Sequence, residues 1–232
     1  MDKIVVLTGA GISAESGLST FRDAGGLWES HDIMDVASID GWNRNCELVL
    51  KFYNERRKQA YLAKPNAGHY ALVELESQYD VTIITQNVDN LHERAGSSKV
   101  IHLHGELSKV RSSVDETDVH NIGDAELNLG DLCRKGAQMR PHIVWFGELV
   151  PKMEEALQAT EQADIFIVLG TSLVVYPAAG LVSQVPDKAP VYVIDPVKPD
   201  IIARPSVHYI EAFATVGAPR LVEQLLRKSK YY

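Results

Sequence analysis

Two short polar stretches hold most of the chemistry open to this chain. Gln86-Asn87-Val88-Asp89-Asn90-Leu91-His92 follows an apolar run, Val81-Thr82-Ile83-Ile84-Thr85, that reads as a strand. Polar side chains just past the C-terminal end of a strand are where open α/β sheets place ligand chemistry. Asn87 or Asp89 could equally cap a following helix, the commoner use of either residue. The second stretch is Val100-Ile101-His102-Leu103-His104-Gly105-Glu106-Leu107. On one continuous strand, His102 and His104 alternate and so face the same way. Their spacing could hold a metal, but a lone pair of histidines on a strand is more often structural.

These stretches need elements to position them. Ile4-Val5-Val6-Leu7 reads as a buried parallel strand and runs into Gly9-Ala10-Gly11-Ile12-Ser13-Ala14. In this G-x-G-x-x-A turn, Gly9 permits the tight turn and Gly11 lets a diphosphate approach the backbone. Ala14 is small enough for the next helix to pack close, and that helix presents unpaired N–H groups to phosphate. Asp164-Ile165-Phe166-Ile167-Val168-Leu169 is another buried strand, ending on Gly170-Thr171-Ser172. Pro190 to Ile194 is the next, and Asp195 ends it where a ribose hydroxyl contact is expected. Helices are expected over Glu47–Arg57 with Asn45 as cap, from Pro65-Asn66 onward, over Glu154–Gln162, and over Pro219–Lys228. Strands alternating with helices give an α/β fold, a doubly wound parallel sheet of the Rossmann-like, dinucleotide-binding kind with a small inserted module.

Composition excludes several classes. At 232 residues, 45% of them hydrophobic, the chain suits one large α/β domain with a small module attached. The large part spans residues 1–27, 65–107 and 143–232, and the small module 28–64 and 108–142. A net charge of -8 argues against nucleic acid as a partner, the only dense basic cluster being Arg56-Arg57-Lys58. Two cysteines, Cys46 and Cys133, make no disulfide framework and suit a reducing compartment. No apolar run is long enough to span a membrane, and no signal peptide is visible. These features read as a soluble, cytoplasmic protein.

Read together, the motifs resemble one family. Gly9-Ala10-Gly11-Ile12-Ser13-Ala14-Glu15-Ser16-Gly17, then Phe21-Arg22 and Gly26-Leu27-Trp28, is similar to the signature of the sirtuins, the NAD-dependent protein deacylases. Gln86-Asn87-Val88-Asp89, His104-Gly105-Glu106-Leu107, Arg140-Pro141-His142-Ile143-Val144-Trp145-Phe146-Gly147-Glu148, Gly170-Thr171-Ser172 and Val175-Tyr176-Pro177-Ala178-Ala179 match further family motifs in order. The resemblance implies that NAD is consumed as a co-substrate. The lysine acyl oxygen attacks the nicotinamide ribose and nicotinamide leaves. His104 acts as general base on a ribose hydroxyl, a task suited to a side chain that titrates near neutral pH. Asn87 orders the ribose and the reacting water, and Asp89 holds the nicotinamide carboxamide. Gly9, Ala10, Gly11, Ser13, Ala14, Glu15, Phe21, Arg22, Trp28, Gln86, Gly170, Thr171, Ser172, Asp195 and Ala214 join them in binding NAD, although the family more often has Asn at the position of Asp195. Val144, Phe146, Gly147, Glu148, Val174, Val175 and Tyr176 line the path of an acylated-lysine peptide, gripped in extended form along the chain's own backbone.

The resemblance also sets two particular expectations. Relatives carry a zinc ribbon of two Cys pairs within residues 108–142, but this chain has Ser112-Ser113 at the first pair and only Cys133 at the second. One thiol cannot build that site, so no metal and a module held by packing and loop hydrogen bonds are expected. His120 and Asp118 are poor substitutes. Tyr53 and Arg56, three apart on a helix, resemble the Tyr-x-x-Arg pair of desuccinylase-type sirtuins. A guanidinium and a phenol there would grip an acyl carboxylate, with Ala24 leaving room. Two other readings compete. A nicotinamide-dependent dehydrogenase accounts for the glycine turn alone, and a catalytically silent NAD- or ADP-ribose-binding module is compatible with the lost cysteines.

Overall fold

The computed structural model describes residues 1–19, 27–28, 31–199 and 206–229. In chain order the elements are β1 (Lys3–Thr8), α1 (Ala10–Ala14), β2 (Leu27–Trp28), β3 (His31–Asp32), α2 (Ile33–Val36), α3 (Ile39–Arg44), α4 (Cys46–Leu62), α5 (Ala67–Leu75), β4 (Asp80–Thr85) and α6 (Leu91–Ala95). There follow β5 (Val100–His102), β6 (Gly105–Ser112), β7 (Val119–Asn121), β8 (Met139–Ile143), α7 (Met153–Glu161), β9 (Ile165–Leu169), a 3-10 helix (Ala178–Gln184), β10 (Val191–Ile194), β11 (Val207–Ile210) and α8 (Ala214–Ser229).

Six parallel strands form one sheet in the order β11-β10-β9-β1-β4-β5. The central strand β1 is buried on both sides, which is why it reads as a continuous β-branched run. Its alternate residues feed different cores. Ile4 and Val6 join Leu72, Leu75, Leu221 and Leu225 from α5 and α8. Val5 and Leu7 join Phe166, Val168, Ala156 and Leu181 on the opposite face. From β1 the sheet grows one way through β4 and β5, and the other way through β9, β10 and β11. The order therefore reverses between β1 and β9, and in such sheets ligands bind at the strand C-termini beside that reversal.

A second sheet, β7-β6-β8, is antiparallel. Two apolar clusters tie it to α4. One holds Phe52, Tyr53, Leu107, Ile143 and Trp145, and the other Leu50, Val110, Leu127, Cys133 and Met139. Asn45 caps α4 as expected, accepting from Leu48 N, and Asn66 caps α5.

Two expectations need correction. The stretch from Val100 to Leu107 is two strands, with His104 in the turn between β5 and β6. Gly105 makes that turn, at φ +82°, where a Cβ would come within 2.0 Å of the His142 carbonyl. The closing helix begins at Ala214, five residues before Pro219. Pro219 sits in its second turn, without the N–H that would answer the Thr215 carbonyl. Arg56 and Arg57, from the one dense basic cluster, are only 6% and 2% exposed.

Candidate active site

The Gly9–Ala14 turn lies against the loop that leaves β9. Gly9 N donates to Leu169 O at 3.1 Å and Gly11 N to Gly170 O at 2.8 Å. A Cβ on Gly11 would meet Gly170 Cα at 2.7 Å, and one on Gly9 would meet Thr171 Cβ at 2.6 Å. Both glycines are thus required by backbone packing across the sheet reversal, in addition to any approach by a diphosphate.

Short polar side chains converge on this turn from α1, the segment after β4 and the loop after β9. Asn87 Nδ2 donates to Gly9 O at 3.0 Å and to Ser13 Oγ at 3.1 Å. Both amide hydrogens are thereby engaged, so Asn87 faces a ligand as an acceptor through Oδ1. Ser13 Oγ donates to Asp89 Oδ2 at 2.9 Å, and Leu91 N to Asp89 Oδ1 at 3.1 Å. Burial pushes the Asp89 carboxyl up, against the pull of these two donors. Gln86 Nε2 donates to Thr171 Oγ1 at 3.0 Å, joining the β4 and β9 strand ends.

The two histidines sit against consecutive carbonyls. His104 Nδ1 lies 2.9 Å from Gln86 O and His102 Nδ1 3.2 Å from Asn87 O. A carbonyl only accepts, so Nδ1 carries the proton in both rings. In His104 this leaves Nε2 as the basic nitrogen, and burial holds the ring below its ordinary value, so it is neutral. In His102, Nε2 lies 2.6 Å from Glu93 Oε1. Burial opposes the charge there, but the Glu93 carboxylate outweighs it and raises the ring's affinity for a proton. The same side chain two residues apart is thus pushed toward the neutral form at one position and toward the protonated form at the other.

Asp195, buried at the end of β10, accepts from Val197 N at 2.9 Å, and Gly170 N donates to Ile194 O beside it. Ala214 opens α8, where Glu15 accepts from Thr215 N at 3.0 Å. Phe146 and Gly147 are exposed, as are Val174 and Tyr176, while Ser172, Val144 and Val175 are half-buried. The N–H groups of Val144, Trp145 and Phe146 are all engaged within the chain, by His104 O, Glu148 Oε2 and Ala37 O. Glu148 is better explained as a structural anion than as a peptide contact. Its carboxylate accepts from Arg140 Nη1 at 2.7 Å, Arg140 Nη2 at 2.9 Å and Arg111 Nη2 at 3.2 Å. Tyr53 and Arg56 are buried one helical turn apart on α4. Phe21, Arg22 and Ala24 lie outside the described residues, as does the side chain of Trp28.

Some supporting residues escaped sequence reasoning. Asn66 Nδ2 donates to Ile12 O at 2.8 Å and Ser16 Oγ at 2.9 Å, tying the α5 cap to α1. Its position after Pro65 marked it as a cap, but nothing local showed the second partner. Thr8 Oγ1 lies 3.0 Å from His92 Nε2, and His92 packs edge-on against His69, with ring centroids 5.0 Å apart.

The model of the Sir2 family matches residues 9–177. The chain belongs to the Sir2 family. It is 53% identical over 231 residues to an NAD-dependent protein deacylase of Bacteroides thetaiotaomicron, covering 97% of this chain and 99% of that relative. It is 58% identical over 196 residues to a deacylase of the same description from Helicobacter pylori, covering 84% and 83%. The solved structure of a Sir2 homologue in complex with NAD superposes with a TM-score of 0.88 at 37% identity, covering 98% of this chain and 90% of that one. As a Sir2 protein the chain keeps the glycine turn, the Gln86–Asp89 segment and His104. Within residues 108–142 it departs from the expected metal ribbon. Among the described residues no group of three or more His, Cys, Asp or Glu is placed to hold a metal ion.

Proposed function

We propose that this chain is an NAD-dependent protein-lysine deacylase that transfers the acyl group to ADP-ribose and releases nicotinamide. The observation that carries the reading is His104, whose Nδ1–H is fixed on Gln86 O so that Nε2 is left as a neutral base at the strand-end crevice. The crevice suits NAD. It offers a glycine turn, the Asn87 Oδ1 acceptor and a buried Asp89 carboxylate beside Ser13. NAD, when bound, supplies the ADP-ribose acceptor. Gly9 to Ala14 would cradle its phosphates, Asp195 and Asn87 would hold ribose hydroxyls or water, and Asp89 would take the carboxamide. His104 Nε2 takes the proton from a ribose hydroxyl.

The acyl group is read from α4. Arg56 and Tyr53 are buried together one turn apart on α4, and burial pushes the Tyr53 phenol up although the nearby Arg56 charge opposes it. Paired there, a guanidinium and a phenol suit a carboxylate, which makes succinyl-lysine a substrate beside acetyl-lysine. No helix of the described residues is long and apolar enough to cross a membrane. With two free cysteines, that fits a cytoplasmic protein acting on acylated proteins, without zinc and without nucleic acid.

Nicotinamide release should be measured with acetyl- and succinyl-lysine peptides. NAD- and peptide-dependent release from both is expected. NAD binding without release would instead support the silent module. Arg56→Met should lower the succinyl-to-acetyl ratio of kcat/KM by about ten- to hundredfold, the worth of one charge-assisted contact. A parallel fall in both activities would make Arg56 a structural residue only.

A further inference from the structure

Trp145 has a hydrogen bond that the reaction itself does not call for. It is 2% exposed, and its indole Nε1 donates to Tyr53 Oη at 3.0 Å. An indole N–H is a donor only, so the Tyr53 oxygen must be the acceptor. A phenol has a single O–H. With its oxygen receiving the indole hydrogen, its own hydrogen is turned away from Trp145 and is available to another acceptor.

The indole is itself held firmly. The Arg140 guanidinium lies 3.5 Å from its ring centroid, and the Trp42 ring centroid lies 5.5 Å away. Trp145 N donates to Glu148 Oε2 at 2.8 Å. Arg140 is fixed in turn by Glu148 and by the Ile143 carbonyl at 3.0 Å. The Tyr53 ring is pinned from another side by Phe52, edge-on at 5.1 Å. Burial also pushes the Tyr53 phenol up, so it keeps its hydrogen across the working pH range.

We propose that Trp145 is a positioning residue that sets acyl specificity: by donating to the Tyr53 oxygen it presets the Tyr53 hydroxyl as a donor to an acyl carboxylate. The inference rests on the reading that Tyr53 and Arg56 receive that carboxylate. An acetyl methyl has no use for a preset donor, so Trp145 discriminates between acyl groups without touching the reacting atoms.

The test measures kcat and KM for succinyl- and acetyl-lysine peptides in the wild type, Trp145→Phe, Tyr53→Phe and the double variant. Trp145→Phe keeps a ring on Arg140 and removes the donor. The succinyl-to-acetyl ratio of kcat/KM should fall about three- to tenfold, mainly through KM for the succinyl peptide, the worth of one neutral hydrogen bond. The double variant should fall no further than Tyr53→Phe, because the indole acts only through that hydroxyl. An unchanged ratio, or additive losses in the double variant, overturns the proposal. Replacing Trp145 with benzothienylalanine, which keeps the shape and lacks the N–H, should reproduce the fall; a wild-type ratio in that variant also overturns it. Arg56→Met in the same series separates the two readings. If Arg56→Met lowers the ratio and Trp145→Phe does not, only the Trp145 role fails. If neither lowers it, the carboxylate pocket fails with it.

Discussion

The strand-end crevice and the small antiparallel sheet beside it are held together by opposite means. In the crevice the partners are short. Asn87, Ser13 and Asp89 bond to one another and to backbone, and Gln86 to Thr171, around the ends of rigid parallel strands. Around the small sheet they are long cations. Arg57 Nε donates to Leu107 O at 2.6 Å and its Nη1 to Asn54 Oδ1 at 2.6 Å, while Arg111 and Arg140 converge on Glu148. Short side chains leave Asn87 Oδ1 and His104 Nε2 free for a ligand. Arginines give several donors each and so can clamp neighbouring strands and loops together. A binding site needs the first arrangement, and a small sheet that buries arginines in its strands needs the second.

The largest effect should come from the crevice. His104→Ala should retain NAD binding while deacylation falls by roughly two or more orders of magnitude. In the wild type the acid limb of kcat/KM should lie below pH 6.5, because burial keeps His104 neutral below its ordinary value. Near-wild-type turnover in the variant, or an acid limb above pH 6.5, would remove His104 as the base.

Arg57→Ala attacks the other arrangement. It leaves the Leu107 carbonyl without its donor and frees Asn54, which otherwise exchanges two hydrogen bonds of 3.0 Å with Leu127. Burial already lowers Arg57 to about 10, so its charge sits there at a cost that the oxygens around it offset. A destabilisation of about 3 kcal/mol is expected. Amide exchange should rise first in residues 108–142 and only later in the central sheet. Uniform loss of protection over the whole chain would show that the two regions do not differ in the way argued.

How much of this was legible depended on the range of each interaction. The parallel sheet and the Gly9–Ala14 turn could be read because burial on both faces imposes long apolar runs and backbone approach imposes glycine, and both are local signals. The convergence of Gln86–Asp89 with Ser13 was legible only through family motifs. The splitting of Val100–Leu107 was not legible, because the turn at Gly105 exists to clear the His142 carbonyl, 37 residues away in sequence. Arg57 misled for the same reason. A basic triplet looks solvated until the carbonyls of Leu107 and Ala125 are folded onto it.

Acid should weaken the crevice side selectively. His69 is fully buried on α5, where burial lowers it to about 4, and His92 against it is held well below its ordinary value. Both are neutral in the folded chain. In the unfolded chain they bind protons below about pH 6.5. Stability is therefore fully present above pH 6.5 and is lost as pH falls toward 4. For His69 alone the loss is about 2 kcal/mol at pH 5. Denaturant unfolding of His69→Gln should show a shallower pH dependence than the wild type over that window. An unchanged slope would mean that another group carries the acid sensitivity.

The smallest expected effect is on the small sheet, and its expected size is zero. Where relatives are expected to bring four thiolates together, this chain has Ser112 hydrogen-bonded to Cys133 inside the cluster of Leu50, Val110, Leu127 and Met139. Cys133 N donates to Ala137 O at 2.8 Å and Gly136 N to Cys133 O at 2.9 Å, so backbone hydrogen bonds close the turn. The Lys135–Asp115 pair at 2.8 Å is exposed and adds little. A chelator should therefore leave Tm and kcat unchanged, and elemental analysis should find no stoichiometric zinc. One zinc per chain surviving dialysis against a chelator would overturn this account. Cys133→Ser sharpens the point. As a change in a packed, metal-free turn it should destabilise by about 1 kcal/mol. As the loss of a metal ligand it would unfold residues 108–142 outright, because in such sites metal binding and folding are one equilibrium.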